Sequence, residues 1–246
     1  QSMERHENLV LMGQDIAEYG GVFKITEGFV EKFGKGRVRN TPLCESAIVG
    51  AGLGLSIKGM KAMVEMQFAD FVTEGFNQIV NNLAKIHYRW GQQADVVIRM
   101  PTGGGVGAGP FHSQSNEAWF VHTPGVKVLY PSTPEDAKGL LIASINDPNP
   151  VMYFEHKALY DMEAEVPDEP YAIAFGEANV TREGDDATIV AFGRIVNLAN
   201  EAADSLRKKG ISCTVVDPRT TSPLDTETIL ETVEETGRLI VVDEAH

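Results

Sequence analysis

Short apolar runs alternate with longer helical patterns through most of this 246-residue chain. That alternation narrows the fold more than any other feature. Leu9–Met12, Val38–Thr41, Lys61–Phe68, Ala94–Met100, Val126–Tyr130 and Val151–Phe154 read as strands, with Pro101 stopping the fourth. Ile25–Phe33, the stretch opening at Thr41-Pro42, Asp70–Trp90 and a segment from Pro134 to Asn146 read as helices. Thr133-Pro134-Glu135-Asp136 is a helix start in miniature: a cap, a first-position proline and first-turn acids. Strands and helices in alternation predict a parallel sheet covered on both faces. A second, smaller α/β pattern follows an acidic, aperiodic stretch around Met162–Pro170. The expected organisation is a first domain over 1–160, a linker over 161–180 and a C-terminal α/β domain over 181–246. That last unit stops on a strand with no following helix, and both ends of the chain look cut, so a longer parent polypeptide is expected.

Charge removes one class of function. A net charge of -14 argues against nucleic acid as the main partner. No apolar run approaches the roughly 20 residues needed to span a bilayer. Cys44 and Cys213 lie far apart without metal-ligand spacing, so free thiols in a reducing compartment are expected.

The stretch Asn40–Gly54 holds one carboxylate, Glu45, in a run of small and apolar residues. A helix apolar all round is predicted to be buried. Its glycines each cost about 1 kcal/mol of helix propensity relative to alanine, which implies close packing as compensation. Glu45 falls near the helix start, where the dipole favours its charged form while burial favours the neutral one. A carboxylate in that balance can exchange a proton; the plainer reading is a surface acid at a helix start.

Thr102–Pro110 is a glycine-rich loop after a strand, and Gly103–Ala108 fits G-x-G-x-x-A. A dinucleotide-binding loop would open a helix at once, whereas Pro110, Phe111 and His112 intervene. The favoured reading is a loop that presents His112, a proton-exchanging group near neutral pH, at a cleft. His87, His122 and His156 read as structural. Phe71 falls at a strand-to-helix junction, on the side where α/β folds bind ligands.

Asn40-Thr41-Pro42-Leu43-Cys44-Glu45, Gln67-Phe68-Ala69-Asp70-Phe71, His112-Ser113-Gln114-Ser115, Pro148-Asn149-Pro150 and Phe154-Glu155-His156-Lys157-Ala158-Leu159-Tyr160 occur in that order. In this the chain resembles the beta subunit of the thiamine-diphosphate-dependent decarboxylating component of 2-oxo acid dehydrogenase complexes. The branched-chain enzyme is the most similar, with pyruvate and acetoin relatives close. The resemblance implies a pyrimidine-binding α/β domain followed by a transketolase C-terminal-like domain, here truncated. It implies that Glu45 bonds the ring nitrogen of the cofactor's aminopyrimidine, that Phe71 stacks on that ring, and that Leu43 and Gln67 line the pocket. Gln14 joins them, standing where the branched-chain pattern commonly has an acid. His112 matches a histidine that orients the substrate and assists acyl transfer to lipoamide. Ser144, Asp147 and Asn149 match positions around a structural potassium ion.

The family holds the diphosphate and its magnesium on a partner alpha subunit through a Gly-Asp-Gly...Asn segment that this sequence lacks. The resemblance therefore implies an α2β2 assembly, inactive as the beta chain alone, that feeds a lipoyl acyltransferase core. The setting would be the bacterial cytoplasm, or the mitochondrial matrix in a eukaryote, with the bacterial one favoured. Two readings from other classes compete: a non-catalytic assembly module of a multienzyme complex, and a nicotinamide dehydrogenase using the glycine loop.

Overall fold

The structure, a computed structural model, describes residues 1–245. Its helices are α1 (Ser2–Arg5), α2 (Phe29–Phe33), α3 (Glu45–Ile57), α4 (Ala84–Trp90), α5 (Glu117–Val121), α6 (Pro134–Asn146), α7 (Arg194–Arg207) and α8 (Thr226–Thr236). Its strands are β1 (Leu9–Gly13), β2 (Val38–Asn40), β3 (Lys61–Glu65), β4 (Val96–Thr102), β5 (Lys127–Leu129), β6 (Val151–His156), β7 (Asn179–Arg182), β8 (Ala187–Ala191), β9 (Cys213–Asp217), β10 (Thr220–Ser222) and β11 (Leu239–Val242).

Seven strands form one sheet in the order β10-β5-β6-β4-β3-β1-β2. Its six N-terminal strands are parallel, and β10 pairs antiparallel with β5. Successive side chains of a strand point to opposite faces, and both faces are buried. Val10, Met12, Val96, Ile98, Met152 and Phe154 face one core, whereas Leu9, Leu11, Val97, Val151 and Tyr153 face the other. The apolar runs thus answer to two cores at once. The second sheet, β11-β8-β9-β7, is parallel except for β7.

Four local expectations change. The predicted helix over 25–33 shrinks to α2, because Gly28 is left-handed at φ 77 and the Thr26 hydroxyl donates to the Ile16 carbonyl instead. The predicted helix over 70–90 has three pitches: a 3-10 segment at Ala69–Gly75, a π segment at Gln78–Leu83, then α4. Ile79, Leu83 and Ile86 stay buried throughout it. Strand β4 runs through Pro101 rather than stopping there. Its pairing with β3 ends at Arg99, so the missing proline N–H falls where that neighbour has ended, while β6 continues alongside.

Helix α3 is also not buried all round. Glu45, Ile48, Val49, Gly52 and Ser56 are buried, but Ala47, Ala51 and Gly54 face outward. Gly52 does carry the predicted close approach: a Cβ there would lie 3.0 Å from Val64 and 3.4 Å from Val96. Gly54 has open space, so packing within this chain does not explain it.

Candidate active site

Parallel strands end on one rim of the sheet, and ligands of α/β sheets bind outside those carboxyl ends. Gln14 follows β1, Glu45 opens the helix after β2, and Gln67 and Phe71 follow β3. His112 follows β4, and Lys157 follows β6. The fold therefore delivers five chain segments to the same rim.

Glu45 is the first residue of α3 and is 7% exposed. Its Oε1 accepts a hydrogen bond from Gln14 Nε2 at 2.9 Å. An amide at position 14 can donate to the carboxylate, which a deprotonated acid could not do. Gln14 is itself 4% exposed, and its Oε1 is buried with no donor among the described residues. The segment carrying Phe71 packs against the start of α3 because Gly75 lacks a side chain. A Cβ there would meet Val49 at 3.2 Å and the Glu45 carbonyl at 3.5 Å.

His112 and Phe71 meet edge to face, with ring centroids 5.5 Å apart. Phe68, half-buried, packs against both, 4.6 Å from His112 and 5.9 Å from Phe71. Phe23 and Tyr160 extend this aromatic row. Gln67 is half-buried and donates to Asp15 at 3.4 Å. Leu43 is 80% exposed, so in this chain alone it lines no enclosed wall. Asn116, at the start of α5, ties the rim together by donating to the Ala69 carbonyl. After Gly109 no helix begins until Glu117, and the glycine loop does not open one.

Below the rim lies a buried charge network. Arg99 bonds Glu65 and Glu155 and donates to the Tyr160 hydroxyl, which in turn donates to Glu155. Burial pushes the Glu65 carboxyl up, while Arg99 draws it down. Beside it, Glu244 accepts from His156, Ser115 and the Gly104 amide, and the His156 bond leads in holding its carboxyl down to about 2. Neither Arg99 nor Glu244 stands out in the sequence, because their partners are distant along the chain.

Residues 1–163 match the transketolase pyrimidine-binding domain, and residues 176–246 match the transketolase C-terminal domain. The 2-oxoisovalerate dehydrogenase subunit beta of Bacillus subtilis (strain 168) is 48% identical over 99% of this chain and 76% of its own length. The pyruvate dehydrogenase E1 component subunit beta of the same organism is 47% identical, with the same coverage of each chain. This chain belongs to the beta subunits of the thiamine-diphosphate-dependent 2-oxo acid dehydrogenases. A further relative of this beta subunit is that of acetoin:2,6-dichlorophenolindophenol oxidoreductase from Cupriavidus necator, 48% identical over 100% of this chain and 76% of its own. Among solved structures, a split-gene transketolase described as an inactive beta4 tetramer superposes with a TM-score of 0.82. It is 25% identical and is matched over 98% of this chain and 74% of its own.

As a beta subunit, the chain works with an alpha subunit and with thiamine diphosphate. Among the described residues no helix is long and apolar enough to cross a membrane. Nor does any group of three or more His, Cys, Asp or Glu among them have the arrangement to hold a metal ion. Cys44 and Cys213 are free.

Proposed function

We propose that this beta subunit supplies the pyrimidine half of a shared active site for oxidative decarboxylation of a branched-chain 2-oxo acid. The single observation that carries this reading is the buried pair Glu45–Gln14 at the rim. A carboxylate at a helix start would share a proton with a ring nitrogen, and the Gln14 Oε1 has no donor among the described residues. Both features fit an aminopyrimidine, which offers a basic ring nitrogen and an amino group. Phe71 would cover the ring and Gln67 would border it, while Leu43, 80% exposed, would need an alpha subunit to complete its wall.

When bound, thiamine diphosphate supplies a nucleophilic carbon and an electron sink for decarboxylation. Glu45 would bond the ring nitrogen. The His112 imidazole, which packs on Phe68 and Phe71, would hydrogen-bond the substrate oxygen and assist transfer of the acyl group to lipoamide. Magnesium and the diphosphate would be held by the alpha partner. The outward small-residue face of α3 suits an interface in an α2β2 assembly that docks on a lipoyl acyltransferase core. The description of the split-gene relative as inactive supports the reading that a beta chain alone is incomplete. The proposed setting is the bacterial cytoplasm.

The test is reconstitution with the alpha partner, thiamine diphosphate and magnesium, followed by 2-oxo acid-dependent reduction of an artificial acceptor. Glu45→Gln is expected to lower kcat by about 10²-fold or more. Wild-type activity in that variant would sink the assignment. Rates on 2-oxoisovalerate, pyruvate and acetoin then rank the substrate, with pyruvate or acetoin as the alternatives.

A potassium ion near Ser144, Asp147 and Asn149 belongs to the same proposal. Ser144 donates to the Leu140 carbonyl, and Asp147 Oδ1 caps Asn149. Lys127 bonds the other Asp147 oxygen, so the side chains offer an ion little beyond the Asn149 carbonyl. Main-chain oxygens would have to supply the rest. If potassium binds there, the melting temperature rises in potassium relative to choline at equal ionic strength; equal melting removes the ion.

A further inference from the structure

We propose that Asp70 and Lys157 are positioning residues: together they clamp the two ends of the loop 103–114 and so hold His112 at the rim. The inference rests on the role proposed above for His112.

Apart from its two ends, the loop is held by the Gly104 amide on Glu244 at 3.2 Å and by two internal bonds, Gln114 Nε2 to the Pro110 carbonyl and the His112 amide to the Gly109 carbonyl. Gly103, Gly105, Gly107 and Gly109 all have positive φ, and Phe111 is 69% exposed. A chain so rich in glycine has much conformational freedom to lose. Its ends nevertheless meet: the Gly103 amide donates to the Gln114 carbonyl at 3.0 Å, and Thr102 Oγ1 donates to the same oxygen at 3.1 Å.

Two buried charged residues bond that junction, one at each of the two loop ends. Asp70 Oδ1 accepts from the amides of Ser113 and Gln114, each at 3.2 Å, directly after His112. Lys157 Nζ donates to the Gly103 carbonyl at 2.9 Å. Asp70 is 5% exposed and Lys157 6%. Asp70 Oδ2 has no donor among the described residues. Burial pushes the Lys157 ammonium down, while the charges of Asp70 and Glu244 draw it up. Phe68 packs near both groups, its ring 4.6 Å from the His112 ring and 5.7 Å from Lys157 Nζ. Gly103 is pinned as well, since a Cβ there would lie 2.1 Å from His156 Nε2.

Buried ions are poor providers of stability, because desolvation offsets their attraction. Two of them at the base of one glycine loop are better explained by placement. Asp70 precedes Phe71 in sequence, so one short segment sets both the ring and, through two amides, the histidine. A catalytic group displaced by about 1 Å can lose a hundredfold in rate.

The experiment uses the complex assembled with its alpha partner. Chymotryptic cleavage after Phe111 is followed by mass spectrometry, alongside calorimetric affinity for thiamine diphosphate and acyl transfer to a lipoyl domain. Asp70→Ala and Lys157→Met should each speed cleavage by about fivefold as the loop opens. Each should slow acyl transfer by roughly tenfold with cofactor affinity within about twofold. Lys157→Arg should recover most of both effects, and Asp70→Asn, which keeps an acceptor, should lie between. Unchanged cleavage and transfer in variants that melt like the parent would overturn the clamp. So would a loss of cofactor affinity as large as the loss of rate. His112→Ala separates the two readings. If it leaves transfer unchanged, the role of His112 fails; if it slows transfer while the clamp variants do not, only the clamp fails.

Discussion

Arg99 is 2% exposed and faces two carboxylates, one on each neighbouring strand. The arrangement is stable only while the guanidinium is there. Arg99→Met would leave Glu65 and Glu155 buried against each other with no counter-charge, and breaking a buried pair in this way costs about 3–5 kcal/mol. Urea unfolding of the variant should show that loss. No local pattern announces this residue, since its partners lie 34 and 56 positions away. Glu45 and His112 were legible because each sits in a short motif whose neighbours set its environment. Gln14 was legible only as a departure from a pattern; its bond to Glu45 gives the departure a physical sense, an amide donor facing an acid.

At the scale of elements, α3 separates two kinds of glycine. Gly52 lies against β3 and β4, and Gly52→Val should overpack that contact at a cost of about 1–3 kcal/mol. Gly54 faces open space, and Gly54→Ala should stabilise the isolated chain by up to about 1 kcal/mol through helix propensity. Thermal melts of the two variants should move in opposite directions. The sequence announced a close approach somewhere in this helix but not which glycine made it. It also overstated the helix's burial, because apolar composition does not say whether the cover comes from the same chain. The central strands of the first sheet were more legible, β1, β4 and β6 being short apolar runs buried on both sides, whereas β11 is as apolar but exposed. The change of pitch from the π segment to α4 was not legible, since Ile79, Leu83 and Ile86 keep a helical spacing through both.

For the whole molecule, pH acts through a few buried acids. Burial pushes Glu117 and Asp217 up to about 7, from ordinary values of 4.5 and 3.8. The folded state therefore keeps protons that the unfolded chain releases. The stability this gives is complete below the ordinary values and is lost as pH rises through about 7. Glu244, held down to about 2 chiefly by His156, acts oppositely: its contribution is present above 4.5 and is lost as pH falls toward 2. The net charge of -14 at pH 7 adds self-repulsion on the alkaline side. Melting temperature should therefore be highest in the mildly acidic range and decline toward pH 8. Asp217→Asn should flatten that decline, by a few kcal/mol at most. A flat profile in the parent protein would show that these acids do not control its stability.

Strand β10 adds a matter of timing. The first sheet is finished on one side by residues of the C-terminal segment, and the Thr221 hydroxyl reaches the Val128 carbonyl 93 positions earlier in the chain. During synthesis the β5 edge must wait, unpaired, for most of a small domain's length to emerge. At roughly 5–20 residues per second that interval lasts seconds, long enough for a bare strand edge to find the wrong partner. Chains halted on the ribosome before Thr220 are therefore expected to aggregate more readily than chains halted after Ser222, a difference that sedimentation of stalled chains would show.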